Sequence, residues 1–84
     1  MIEKFIKENR LSFKEGTRNT TVVTLVGYAQ HIGVSKSGLL NSLSKQVEKD
    51  NFIKQEVNRL WSYCEGAGYK NYWTTKEASK KYKF

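Results

Sequence analysis

Residues 25–43 read "LVGYAQHIGVSKSGLLNSL", and their periodicity decides the fold. Leu25, Val26, Ala29 and Ile32, with Val22 just upstream, recur at three- and four-residue intervals, the spacing of a buried helical stripe. The preceding β-branched run "TTVV" at residues 20–23 has strand propensity. The stripe runs through it with helical period, so a helix is predicted, opening near Asn19 or Thr20 as N-cap. Gly33 then has the position of a left-handed C′ residue that ends a helix. Ser35 has the position of a cap for the next, whose apolar face is Leu39, Leu40, Leu43 and Val47. Two helices meeting at small residues across a short turn make a helix-turn-helix-like corner.

Working outward, Ile2, Phe5 and Ile6 share one face of a short N-terminal amphipathic helix, and Gly16 marks a turn after "LSFKEG". Asp50 or Asn51 opens a longer helix with Ile53, Val57, Leu60, Trp61 and Cys64 on its apolar face. "EGAG" stops it. "YKNYW" is either extended or an aromatic loop. Thr74 with Glu77 three residues later is a capping-box signature, which predicts a last short basic helix in "TKEASKKYKF". With no proline and no repeat or linker-like tract in 84 residues, the expected product is all-α. It is a single domain over residues 1–84, a compact bundle of four or five short helices.

The lone cysteine excludes an internal disulfide framework, and with a lone histidine it excludes a Cys/His zinc site. The N-terminal "MIEKFIKENR" lacks the apolar run of a signal peptide, so a cytoplasmic protein is expected. The net charge is +7 and unevenly spread. Residues 16–47 carry Arg18, Lys36 and Lys45 with no acid, and residues 66–84 carry five lysines against Glu77 alone. Blocks of this kind suggest a positive face that meets polyanions in a salt-dependent way.

Catalytic signals are thin. Glu48, Asp50 and Glu56 are spaced as solvated charges on helix faces rather than converging as metal-dependent phosphoryl transfer requires. His31 stands alone beside Ile32, and Cys64 falls on an apolar stripe. No phosphate-binding loop or dinucleotide fingerprint is present. The reading is a non-enzyme with no cofactor and no metal. As a duplex reader, the second helix of the corner would offer Lys36, Ser37, Asn41 and Ser42 to the major groove. Only Lys36 and Asn41 among them are strong base readers, and Gly38 costs that helix about 1 kcal/mol against alanine. A helix-turn-helix regulator is therefore the second reading.

The tail, residues 70–84, interleaves Tyr72 and Trp73 with Lys70 and Lys76, then continues with Lys80 and Lys81. Aromatics stack on unpaired bases while lysines track phosphates, which makes these six residues nucleic-acid candidates. Tyr69 and Trp73, with Trp61, are equally candidates for partner docking or for the core.

"FKEGTRN" at residues 13–19, followed by residues 24–43 and by "KQEVNRLWSY" at 54–63, resembles the primase C-terminal domain family (type 1). The matching positions are Gly16, Arg18 and Asn19; Leu25 and Ala29; Gly33, Val34 and Ser35; Leu39, Leu40 and Leu43; and Glu56, Val57 and Leu60. The resemblance covers residues 13–69. The family's proline-containing stretch before Glu-Val is replaced here by "EKDNFIKQ", and the module is expected to stand alone, without a catalytic primase domain ahead of it. The resemblance implies a small helical accessory protein. Such a protein would dock on a separately encoded primase, polymerase or helicase of a mobile genetic element and help it engage single-stranded template or initiating nucleotides. Arg18 and Asn19, beside a helix N-terminus whose free N–H groups favour anions, are the candidates for holding a phosphate. The alternative for Arg18 is a brace for its own loop.

Overall fold

The computed structural model describes all 84 residues and contains no strand. Six α-helices, α1 (Ile2–Glu8), α2 (Arg18–Ile32), α3 (Lys36–Ser42), α4 (Ser44–Lys49), α5 (Asn51–Ala67) and α6 (Lys76–Lys81), are joined by one 3₁₀ helix at Tyr69–Thr74. The all-α expectation holds. Two boundaries raise the number of helices to seven. The predicted helix after Ser35 breaks at Leu43, whose backbone turns to φ −101°, ψ 15°, and the "YKNYW" segment is a 3₁₀ turn rather than an extended loop.

The corner forms at the predicted residues. Gly33 adopts φ +81°, and Val34 N–H bonds to the Ala29 carbonyl at 2.8 Å while Gly33 N–H bonds to Gln30 at 3.3 Å. This paired arrangement satisfies the last carbonyls of α2. Ser35 Oγ accepts from Gly38 N–H at 3.0 Å and caps α3. Gly38 has a reason to be glycine, since a Cβ there would stand 3.0 Å from Val34 Cγ1 and 3.3 Å from Ser35 Oγ.

Two other helix starts move by one to three residues. α2 begins at Arg18 with Thr17 as N-cap, and Thr17 makes no side-chain bond to the helix; its hydroxyl donates instead to the Lys14 carbonyl at 3.2 Å. Thr75, not Thr74, caps α6 by accepting from Ala78 N–H at 3.2 Å. Thr74 is drawn back into the 3₁₀ turn by donating to Asn71 O at 2.8 Å. The cap of α5 is the expected one, with Asp50 Oδ1 accepting from Phe52 N–H at 3.1 Å.

The "TTVV" run is helical because Thr21 and Val22, with Thr24 just after it, face the core. Val22 is fully buried, as are Thr21 and Thr24 but for a few percent. Thr21 donates to the Ser12 carbonyl at 2.6 Å, tying down the incoming loop, and Thr24 donates to Thr20 one turn back at 2.9 Å. Both hydroxyls are thereby satisfied inside.

α2 and α5 form the central packing pair. Val22, Leu25, Val26 and Ala29 of α2 meet Ile53, Val57, Leu60 and Cys64 of α5, with Leu39 and Leu43 closing one side and Ile2 and Phe5 another. At one end of the pair Arg18 bonds to Asp50. Toward the other, Gln30 Nε2 donates to the Trp61 carbonyl at 2.9 Å. The helices therefore run in the same direction, and α3 and α4 return the chain between them.

No helix is long and apolar enough to cross a membrane.

Candidate nucleic-acid interface

The residues nominated from the sequence divide into three groups. The first is Arg18 and Asn19. Each is already committed to a carboxylate within the fold. Arg18 Nη1 lies 2.6 Å from Asp50 Oδ2, and its guanidinium lies 4.0 Å from the centre of the Phe52 ring. Asn19 Nδ2 donates to Glu56 Oε2. Glu56 also receives Nε and Nη2 of Arg59, at 2.9 and 2.8 Å. The cluster holds two arginines and two carboxylates, so its formal charge cancels. The phosphate cradle expected at this helix start is instead a brace between α2 and α5. Asp50 and Glu56 occupy the positions an anion would take.

Glu56 itself is a buried carboxylate, 8% exposed. Its pKa is held below the ordinary value, first by the Arg59 hydrogen bond, with Asn19 and the nearby arginines adding to it against the opposing effect of burial. Arg59 is held correspondingly more basic by the same carboxylate.

The second group is the aromatic one. Trp73, nominated both for base stacking and for partner docking, is 1% exposed and serves neither in this arrangement. It is the hub of an aromatic cluster. Its ring stands edge-on to Tyr28 at 5.4 Å, to Phe5 at 5.6 Å and to Phe84 at 5.4 Å between centroids, and it tilts against Tyr82 at 5.0 Å. Phe5 and Tyr28 stack at 3.9 Å. The 3₁₀ turn Tyr69–Thr74 delivers Trp73 inward, while Lys70 and Asn71 stay in solvent.

Tyr69 and Tyr72 are half-buried and stack on each other at 5.6 Å with rings 4° from parallel. Burial pushes the Tyr69 phenol above its ordinary pKa. Tyr69 lies against Gly27 in the middle of α2, where a Cβ would sit inside its ring and 3.0 Å from Trp73 Nε1. Gly27 is a residue the periodicity argument passed over. The available signal was a glycine in mid-helix, which is costly unless a neighbour needs the space.

Trp61 is half-buried. With Gln30, Val34, Ser35 and Lys70 it lines a shallow groove of about 240 Å³. Two nominated residues, Trp61 and Lys70, therefore share one surface depression. Lys36 follows directly on Ser35, one of its wall residues. The large aromatics left open to solvent are Tyr63 at 66% and Phe84 at 53%, and neither was nominated. Tyr63 sits one residue off the apolar stripe of α5, which is the signal that places it outside.

The third group is the lysines. Lys70, Lys76, Lys80 and Lys81 are all exposed. The ion pairs of the fold are Lys4–Glu8, Arg18–Asp50 and Arg59–Glu56, so none of these lysines is paired. α6 is anchored by buried Ala78. Lys76 and Lys80, four apart, project on one face, while Lys81 turns over the Tyr82 ring at 5.4 Å. This is an electropositive surface. Neutral Cys64 is buried with its pKa raised by that burial, and no three His, Cys, Asp or Glu side chains come together as a metal site.

No protein-family model matches this chain, nor does any curated protein or any solved structure.

Proposed function

We propose that the protein is a non-catalytic accessory factor of DNA replication that contacts single-stranded nucleic acid through the lysines of the 3₁₀ turn and α6. In this reading it docks on a separately encoded primase, polymerase or helicase of a mobile genetic element. The observation that carries the nucleic-acid part is the unpaired set Lys70, Lys76, Lys80 and Lys81, exposed on a 3₁₀ turn held to the core by Trp73 and on a helix held by Ala78. Unpaired surface cations on a fixed scaffold gain most from displacing counterions on a polyphosphate. The replication part rests on the resemblance of residues 13–69 to the primase C-terminal domain family, and on nothing else.

The duplex-reading alternative has less in its favour. α3 is seven residues long, about two turns, and Gly38 is bound up in its own cap. It leaves Lys36 and Asn41 as base readers, too few for an operator.

The test is fluorescence anisotropy with a labelled single-stranded oligonucleotide at several salt concentrations. Reversing Lys76 and Lys80 to glutamate is expected to weaken binding at least tenfold and to flatten the salt dependence. Thermal unfolding should not change. Equal binding by parent and variant would refute the lysine assignment. Co-purification of the native protein with a primase, polymerase or helicase tests the docking half, and isolation of the protein free of any such enzyme would count against it.

A further inference from the structure

The largest groove on the molecule lies on the other side of α1 from the lysine tail, between α1, the 11–17 loop and the α3–α4 junction. It holds about 340 Å³, within the size range of small-ligand sites, roughly 300–1,000 Å³. Half-buried Ile6 and Phe13 form apolar wall, and Asn41 and Gln46 place two amides at the rim with Lys7 and Lys45. One acid, Glu3, shares the wall. It is placed i,i+4 to Lys7 but makes no ion pair with it, and neither lysine is paired to any carboxylate. The groove combines a ring for stacking, amides able to bond a base edge, and two free cations.

α1 connects this groove to the tail. The Asn9 side chain, at the end of α1, grips the backbone of Lys83 with two hydrogen bonds of 2.8 Å. Lys4, Phe5 and Glu8 face Lys83 and Phe84 across a cavity of about 300 Å³. By helical spacing, Glu3, Ile6 and Lys7 lie on the opposite side of α1 and face the groove. A seven-residue helix about 10–12 Å across therefore separates the groove from Lys83 and Phe84.

The geometry points to this groove as a second anchor for single-stranded nucleic acid, receiving one nucleotide: its base against Phe13, its base edge at Asn41 and Gln46, its phosphate on Lys7 and Lys45. The strand would continue over α1 to the tail lysines. This assignment rests on the nucleic-acid reading above and adds to it a place where base identity is sensed.

Oligonucleotides of about 16 nucleotides, the upper end of site sizes for small single-strand-binding folds, serve as the probe. The double variant Lys7→Gln, Lys45→Gln changes two exposed side chains. It should reduce the slope of log affinity against log salt by about 0.7, the value for one phosphate contact on a single strand, with an unchanged circular-dichroism spectrum. Asn41→Ala with Gln46→Ala should narrow the affinity difference between oligo-dA and oligo-dT. If groove variants bind like the parent while tail variants lose affinity, the second anchor is wrong and the tail reading stands. If the parent itself binds no oligonucleotide at low salt, both fail together.

Discussion

The two ends of the α2–α5 pair are held by different physics. At the N-terminal end, Arg18–Asp50 and Asn19–Glu56–Arg59 join the helices through charge and hydrogen bonds. Toward the C-terminal end one hydrogen bond, Gln30 to the Trp61 carbonyl, crosses the pair, and the rest is shape. Gly27 opens a slot in α2, Tyr69 lies in it, and Trp73 fills the space among Phe5, Tyr28 and Tyr82. The polar end responds to pH and salt, whereas the aromatic end responds to volume. The lesson is that the residues that looked most like a binding site are the ones the fold uses up, at both ends. The side chains left free are the lysines of the 3₁₀ turn and α6.

The strongest way to break the comparison is Trp73→Ala. Removing a fully buried indole that touches five other rings should cost about 3–5 kcal/mol, a large share of the about 5–15 kcal/mol that stabilises a small domain. Urea unfolding followed by far-UV circular dichroism measures it. Gly27→Ala comes next. Alanine improves helix propensity by about 1 kcal/mol, but its methyl collides with the Tyr69 ring, and overpacking of this kind costs about 1–3 kcal/mol. A net loss is expected, relieved in the double variant Gly27→Ala, Tyr69→Ala. Additive losses in that cycle would deny the slot.

Smaller effects test the polar end. Glu56 has a folded-state pKa below its unfolded value, so its contribution is present above the ordinary carboxylate pKa, near 4.5. It is lost as pH falls through the lower folded value, when the carboxylate takes up a proton and loosens from Arg59 and Asn19. Glu56→Gln should lower stability at pH 7 by about 1 kcal/mol and make the fall of stability below pH 4.5 shallower. Parallel pH profiles for parent and variant would deny the brace. Arg18→Ala removes a part-exposed pair and the stacking on Phe52, an effect of about 0.5–1 kcal/mol, readable in the same urea titration. Lys76→Glu with Lys80→Glu should leave stability within about 0.5 kcal/mol, the least of all, while changing nucleic-acid affinity most.

How much of this was legible in the sequence follows from what each feature depends on. The corner at Gly33 and Ser35 and the caps at Ser35 and Asp50 are local, set within four residues, and could be read. The stripes of α2 and α5 could be read for the same reason: periodicity records which face is buried. The brace could not. Asn19 and Glu56 are 37 residues apart, and nothing local says that Arg18 has a carboxylate waiting across the helix pair, so it looked like a free anion holder. Trp73 was undecidable between surface and core, because only the 3₁₀ geometry of residues 69–74 turns it inward. Leu43 was invisible as a break, since it has helical propensity and the right spacing. Its burial at a bend is a tertiary choice. Of the nominated surface, the lysines were the legible part, charge being hard to bury. The groove on the far side of α1 was not, because its walls come from three separate segments.

The double hydrogen bond between Asn9 and Lys83 has a kinetic meaning. It closes a contact across 74 residues of sequence, the costliest kind of loop to close from an unfolded chain, and brings only two bonds at an exposed site to offset that cost. Such a contact forms after the helices have docked and opens before they part. The amide of Lys83, bonded to Asn9 rather than within any helix, should therefore exchange with solvent through local opening. The amides of Leu25, Val26 and Leu60 should wait for the whole domain to unfold. Hydrogen exchange would thus show the last segment of the chain lifting from α1 as the molecule's lowest-energy excursion, the same segment whose lysines face solvent.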